Sequence, residues 1–290
     1  MVIDMEFSLI LATLGRDIEL ISFLNSLEAQ TCKDFELIII DQNKDKKIDS
    51  IVEKFINCFS VKHIKVDFSG LGKARDYGIQ FARGNIIAFP DDDCVYEVDV
   101  LKKVITEFKK REEIAVLAVG SYDFSKTKFS IGENSHKSGN FSRLKIMGVE
   151  FTHFFNLSKI KRGDLYLDHN FGIGSKYFAG EGFELLYRLM MGGNRAFYTP
   201  EIRIYHANMD VEDYAAGGNR IFNYSYANGA FIRKFANEAD AFMLYYILRK
   251  MFVAPVFKMM LAVFLLNPKR LQYSYKNLLG IWQGFLAYRK

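Results

Sequence analysis

The chain has 290 residues and a mass of 33.5 kDa, half of it apolar and a quarter charged. That composition excludes a disordered or collagen-like chain and leaves room for one large domain or two modest ones. The net charge of +5 is unevenly spread: residues 241–290 hold eight Lys or Arg and no acid, which leaves 31 basic against 34 acidic side chains, a net −3, before them.

A basic segment this rich in apolar residues differs from a solvated nucleic-acid-binding arm, so no nucleic acid is expected as a partner. Cys32, Cys58 and Cys94 show no C-x-x-C spacing, which fits a reducing compartment and neither a disulfide framework nor a zinc site. The opening MVIDMEFSLIL carries Asp4 and Glu6 and no basic n-region, so no signal peptide is expected and the protein is placed in the cytoplasm. Aromatics make up 15% of the chain, with 27 Phe and 16 Tyr, which points to apolar or sugar-facing surfaces beyond an ordinary core.

The first 120 residues alternate strand-like runs with helical stripes. Phe7–Leu11 reads as a strand, followed by Ile18, Ile21, Leu24 and Leu27 at helical spacing behind Asp17, an N-cap residue. Glu36–Ile40 is a second apolar run, and Ile48 to Ile56 form a second stripe. His63–Val66 predicts a third strand and Gly72–Ala82 a third helix. Asn85–Phe89 is a fourth strand, then a helix near Val98–Lys110 and a fifth strand at Ile114–Val119. Buried strands separated by helices imply βαβ units and a parallel sheet, whose ligands sit beyond the carboxyl ends of the strands. Residues 121–165 are polar without a clear period and read as a loop-rich insertion. A helix is expected at Glu181–Met191, ended by Gly192-Gly193, then a strand through Arg203–Tyr205. From about Val211 the pattern is helical and increasingly apolar.

Asp41 follows the second run, and Asp91-Asp92-Asp93 follows the fourth. Adjacent carboxylates at the mouth of a buried strand repel, and a divalent cation removes that cost while leaving positions for phosphate oxygens. A solvated acidic turn capping the next helix is the other reading. Ser69–Gly78 places Lys73 and Arg75 in a glycine-flanked stretch opening a helix, a setting that favours anions; an ordinary helix with exposed basic residues fits equally.

Four blocks in order, FSLILATLGR, LNSLEAQTCKDFELIIID, GLGKARDYGIQFARGNIIAFPDDD and AGEGFELLYRLMMGGNRAFYTPEIRIYH, resemble family 2 glycosyltransferases of the GT-A fold over roughly Phe7–His206. The resemblance implies an α/β fold: a Rossmann-like, mostly parallel sheet flanked by helices. Thr13 and Arg16 match the nucleotide-contacting loop, with Ala12 where proline is usual. Asp41 matches the acid that binds base or ribose, with Gln42 in place of a frequent second acid. Asp91 and Asp93 match the ends of the Asp-x-Asp motif. Asp93 is thereby the first-choice ligand of Mn2+ or Mg2+, Asp91 is shared between metal and donor sugar, and Asp92 lies on the donor side. Arg75 matches a basic residue of the donor site, with Asp76 replacing the commoner asparagine. His206 matches a histidine that joins the metal shell in some relatives; a structural hydrogen-bonding role is the alternative.

The general base departs from the pattern. Where the family shows Glu-Asp, this chain has Glu181-Gly182, so Glu181 on the first turn of its helix is the expected base and Glu184 the reserve. For Glu184 the favoured reading is instead only an i, i+4 ion pair with Arg188. Gly172 and Gly174 read as a backbone-lined acceptor wall or as simple turns. The implied reaction is a single inversion: the base deprotonates an acceptor hydroxyl that displaces a nucleoside diphosphate.

Met251–Leu266 is too short to span a bilayer and is broken by Pro255 and Lys258, so it reads as an interfacial or re-entrant amphipathic segment, or else as a buried or dimer-forming helix. The expected organisation is a nucleotide-sugar glycosyltransferase domain over 1–207 and a basic, apolar, membrane-associating helical region over 208–290. The expected partners are a nucleotide-sugar donor, a lipid-linked or saccharide acceptor of cell-surface polysaccharide synthesis, and the inner face of the cell membrane, with a homo-oligomer left open. Two competing readings are a sugar-nucleotide pyrophosphorylase, which would need a richer basic glycine loop than ATLGRD, and a non-catalytic subunit retaining the fold, which Gly182 favours.

Overall fold

The computed structural model describes residues 5–143, 145–207, 218–238 and 241–289. Met1–Asp4 of the opening segment, and residues 211–217 of the helical pattern expected from Val211, lie outside the described residues. The chain divides into two compact units, residues 1–167 with 185–209 and residues 168–184 with 210–290, each taken over its described part.

The first unit is built on a nine-stranded sheet. Its strands are β1 (Phe7–Thr13), β2 (Phe35–Asp41), β3 (Ser60–Lys65), β4 (Ile86–Ala88), β5 (Val95–Tyr96), β6 (Ile114–Tyr122), β7 (Gly139–Phe141), β8 (His153–Asn156) and β9 (Arg195–Tyr205). The order is β3-β2-β1-β4-β8-β6-β9-β5, with β7 also on β9. Pairing is parallel from β3 through β4 and between β6 and β9, and antiparallel where β8, β5 and β7 join. The sheet is therefore mixed.

Strands β1, β2 and β6 are buried along their whole length, which explains their uninterrupted apolar runs. Alternate side chains feed two cores. Phe7, Leu9 and Leu11 meet α1 (Ile18–Glu28), α2 (Asp49–Val52) and α4 (Val100–Lys110) on one side. Ile10, Ile38 and Ile40 meet α3 (Leu71–Ile79) and the later turns of α5 (Glu181–Met191) on the other. The Asp17 carboxylate accepts from the Ile18 amide, as expected of an N-cap, and Gly193 ends α5 at a φ of 86°.

Three expectations are corrected. Residues 121–165 are not simply a loop-rich insertion: β8 lies inside them and occupies the centre of the sheet between β4 and β6. A four-residue HFFN strand has no room to show a period-two pattern. The stripe from Ile48 to Ile56 yields a helix only over Asp49–Val52. The strand expected at Arg203–Tyr205 starts at Arg195.

The second unit contains α6 (Gly218–Phe235), α7 (Ala241–Ile247), a π-helical turn over Leu248–Val253, α8 (Ala254–Phe264) and α9 (Pro268–Ala287). Pro255 does not break the segment. It stands in the first turn of α8 directly behind the π-helical turn, a change of hydrogen-bond register of the kind that accompanies helix irregularities at proline, and Lys258 is an exposed helical residue. Helices α6 and α9 approach through glycine: a Cβ on Gly284 would lie 1.9 Å from the Tyr226 carbonyl oxygen, and one on Gly229 would lie 2.0 Å from that of Ile281. Among the described residues no helix is long and apolar enough to cross a membrane.

Candidate active site

Strand register places the first site residues. Thr13 is paired with Asp41, and Asp41 with Lys65, so the carboxyl ends of β1, β2 and β3 form one row. Asp41 is fully buried; Oδ1 accepts from the Asn43 amide and side chain, and Oδ2 is 3.0 Å from His63 Nε2. Asp41, Asp49 and His63 form a group that could hold an ion. Lys65 already stands among them, 3.8 Å from Asp41 and 3.2 Å from Asp49, and supplies a positive charge.

From the end of β4 the chain passes Phe89 and Pro90 to the three acids, and each takes a different role. Asp91 accepts a 2.6 Å bond from Nη2 of Arg75, a guanidinium only 1% exposed that also reaches Glu150 and the Phe89 carbonyl. Asp92 turns back to Thr13 Oγ1 and Arg16 Nη1, both at 2.7 Å. Asp93 faces His206, 3.2 Å from Nε2, and pairs with Arg16. Repulsion among neighbouring carboxylates is thus relieved by two arginines and a histidine. Lys73, the other basic residue of the third helix's opening, lies over the Phe68 ring at 4.2 Å.

Burial raises the Asp91 carboxyl, with Arg75 offsetting part of the effect, and raises Asp92 against Thr13 and Arg16. Burial also pushes Asp93 upward, but His206 and Arg16 outweigh it and hold that carboxyl below its ordinary value. For His206, burial pulls downward and Asp93 with the Ala207 carbonyl raises it overall.

Asp91, Asp93 and His206 each offer a ligand atom, and these atoms lie within 4.8 Å of one another. His206 Nδ1 is 2.7 Å from the Ala207 carbonyl and donates to it, which leaves Nε2 as the nitrogen facing Asp93. An imidazole whose outer N–H is held by a carbonyl is the form that ligates metals. Phe151 stacks on its ring at 4.9 Å and fixes the plane. Two carboxylates and an imidazole suit Mn2+ and accept Mg2+, so this donor set fits the cofactor that the sequence implied.

Glu181 and Glu184 lie in the second unit, as does the turn before them. Glu181 is buried and backs onto Gly172, where a Cβ would come 2.9 Å from its carboxylate carbon. Gly172 and Gly174 have φ of 106° and 82°, so both are turn glycines, and Gly172 also makes room for Glu181. Glu184 is fully buried and accepts from Lys234 Nζ at 2.7 Å, while Asp168 accepts from the same amine at 2.6 Å. Burial pulls the Lys234 amine down, but the two acids raise it overall. Arg188 donates to the carbonyls of Asp164 and Tyr166. Lys234, Asp168, Glu150, His63 and Phe151 escaped the sequence reading. Each meets its partner through long-range packing, and none belongs to a motif.

The family model for glycosyl transferase family 2 matches residues 8–189. EpsH of Bacillus subtilis is 33% identical over 101 residues, covering 34% of this chain and 29% of that protein. The poly(ribitol-phosphate) beta-N-acetylglucosaminyltransferase TarS of Staphylococcus aureus is 29% identical over 102 residues, covering 34% of this chain and 18% of that protein. The matched stretches thus span less than a third of either relative. Among solved structures, residues 1–349 of S. aureus TarS in complex with UDP-GlcNAc superpose with a TM-score of 0.60 at 16% identity, covering 98% of this chain and 92% of that one. The mannosyltransferase PcManGT of Pyrobaculum calidifontis, in complex with GDP-Man and Mn2+, gives 0.67 at 12% identity over 96% and 87% of the two chains. These likenesses identify the fold as GT-A.

Proposed function

The chain belongs to glycosyl transferase family 2, and from that premise we propose that it moves a sugar from a nucleoside-diphosphate donor to a hydroxyl of a saccharide acceptor, with inversion. The observation that carries the reading is the convergence of Asp91, Asp93 and His206 at the carboxyl end of β4. Asp93, Asp91 and His206 would hold Mn2+ or Mg2+, which when bound supplies positive charge against the departing diphosphate. Arg75 aims Asp91 from beneath, while Thr13 and Arg16 hold Asp92 and so tie the first loop to the acidic turn. Asp41, at the end of β2, is the residue proposed to bind the base or ribose of the donor. UDP-GlcNAc and GDP-Man, found in complex with the structural neighbours, are the donor class to examine first.

Glu181 is the proposed base. It takes the proton from the acceptor hydroxyl as that oxygen attacks the anomeric carbon. Glu184 is the poorer candidate, because it is fully buried and bonded to Lys234. The acid-free C-terminal helices support a seat on the inner face of the membrane and an acceptor carried on lipid, as cell-surface polysaccharide assembly would require.

Release of nucleoside diphosphate from a panel of UDP- and GDP-sugars with Mn2+ tests the reading. Asp93→Ala should lose more than the roughly 10–100-fold that removal of an outer metal partner costs. Glu181→Gln should keep donor binding and lose about 10²–10⁴ in transfer. Unchanged turnover in Asp93→Ala would remove the metal assignment. Donor binding by the unaltered chain with no release under any condition would instead favour the non-catalytic subunit that Gly182 admits.

A further inference from the structure

Helix α8 is apolar around most of its circumference, yet only Pro255 and Ala262 of its residues are buried. At 100° per residue, Phe257, Met260 and Phe264 form one stripe, turned away from Pro255 and Ala262. Their exposures are 64%, 66% and 83%. A helix apolar all round is ordinarily buried, and a contiguous apolar patch on a soluble surface marks an interaction site. The stripe runs out into the α8–α9 turn, where Leu266 is 88% exposed. Its φ of 48° is a left-handed conformation that favours glycine or asparagine at a helix end. An exposed leucine held there places a large apolar group at the tip of a helical hairpin.

The surrounding charge names the occupant. Lys258, Lys269 and Arg270 are exposed around the stripe and tip, and no Asp or Glu occurs from residue 241 onward. A protein partner or a second copy would meet apolar surface with a rim of mixed sign, whereas the charges that the described helices α7 to α9 carry are of one sign. At about 1.5 Å per residue α8 is about 16 Å long, half the hydrocarbon thickness of a bilayer. The helical run that α8 completes, residues 241–264, carries Arg249, Lys250 and Lys258, and no helix among the described residues is long and apolar enough to cross a membrane, so α8 is assigned to an interface. We infer that α8 and the α8–α9 tip form the membrane-contacting face, inserting Phe257, Met260, Phe264 and Leu266 among the acyl chains of anionic phospholipid while Lys258, Lys269 and Arg270 meet the headgroups. This deepens the peripheral seat proposed above and rests on it.

Sedimentation of the full chain with vesicles tests the assignment. The vesicles are phosphatidylcholine alone, or phosphatidylcholine with phosphatidylglycerol at about three to one. The unaltered chain should bind the anionic vesicles, and less so at high salt. Phe264→Glu combined with Leu266→Glu should bind at least about tenfold more weakly, with an unchanged melting temperature and unchanged release of nucleoside diphosphate from soluble donor. If the variant sediments like the unaltered chain, the face is misassigned while the peripheral seat stands. Failure of the unaltered chain to bind either vesicle overturns both. A dimer of the unaltered chain in solution that the double variant abolishes, with vesicle binding unaffected, gives the face to a second copy and overturns the inference.

Discussion

Arg75 shows how one side chain can serve stability and site geometry together. It is almost wholly buried between Asp91 and Glu150, and breaking a buried pair by removing one partner is costly because charge is left without compensation. Arg75→Met is expected to lower unfolding free energy by about 3 kcal/mol, measured by urea denaturation. Arg75→Lys should recover only part, since an ammonium cannot fork between the two acids; full recovery would show that charge alone matters. His153 gives a separate handle. Burial in the central strand pulls its imidazole from 6.5 to about 4, with Nε2 placed 2.8 Å from the Met147 carbonyl. A folded value below the unfolded one means that the unfolded chain gains a proton between pH 6.5 and 4 which the folded chain refuses. Stability should therefore fall on acidification through that window, by about 3 kcal/mol at most. His153→Gln should flatten that part of the pH–stability curve, and an unchanged slope would assign it to other groups. The run of Asp91, Asp92 and Asp93 was legible because it is local, and His206 was legible only through the family resemblance. The sequence did not display Arg75's second acid or the Thr13–Asp92 clasp, whose partners are 75 and 79 residues apart.

At the level of elements, legibility followed the length of the apolar run. Strands β1, β2 and β6, seven to nine residues each and buried throughout, were visible as continuous hydrophobic stretches. The two-residue β5, the three-residue β7 and the four-residue β8 carried no pattern that a period could reveal. The helix pair α6–α9 was visible as helices but not as a pair, because glycines in an apolar tail look like helix breakers until a second helix is laid against them. Gly280 and Gly284, four apart, let the α6 backbone approach closely, in the manner of small-residue stripes between helices. Gly284→Ala would drive a methyl into the Tyr226 carbonyl and should cost at least the roughly 1–3 kcal/mol of overpacking. Thermal unfolding monitored by circular dichroism checks this, and an unchanged midpoint would show that the helices can slide apart freely.

Across the whole molecule, the charge division seen in the sequence has a structural counterpart: the acid-free segment supplies α7 to α9, and acids cluster at the carboxyl edge of the sheet. The family resemblance carried the fold because the GT-A blocks coincide with the buried strands and the turns after them. It could say nothing of β8, which falls in the unmatched stretch between blocks. Yet β8 is the strand that joins β4 to β6 and so unites the two halves of the sheet. It is made late. As the polypeptide leaves the ribosome, the free edge of β4 waits for its neighbour through roughly 70 residues of synthesis, several seconds at about 5–20 residues per second. During that interval its unpaired amides and carbonyls stand open to mispairing with other nascent chains. Lengthening the stretch between β6 and β8 would prolong that exposure and lower the yield of folded protein without touching a single residue of the site.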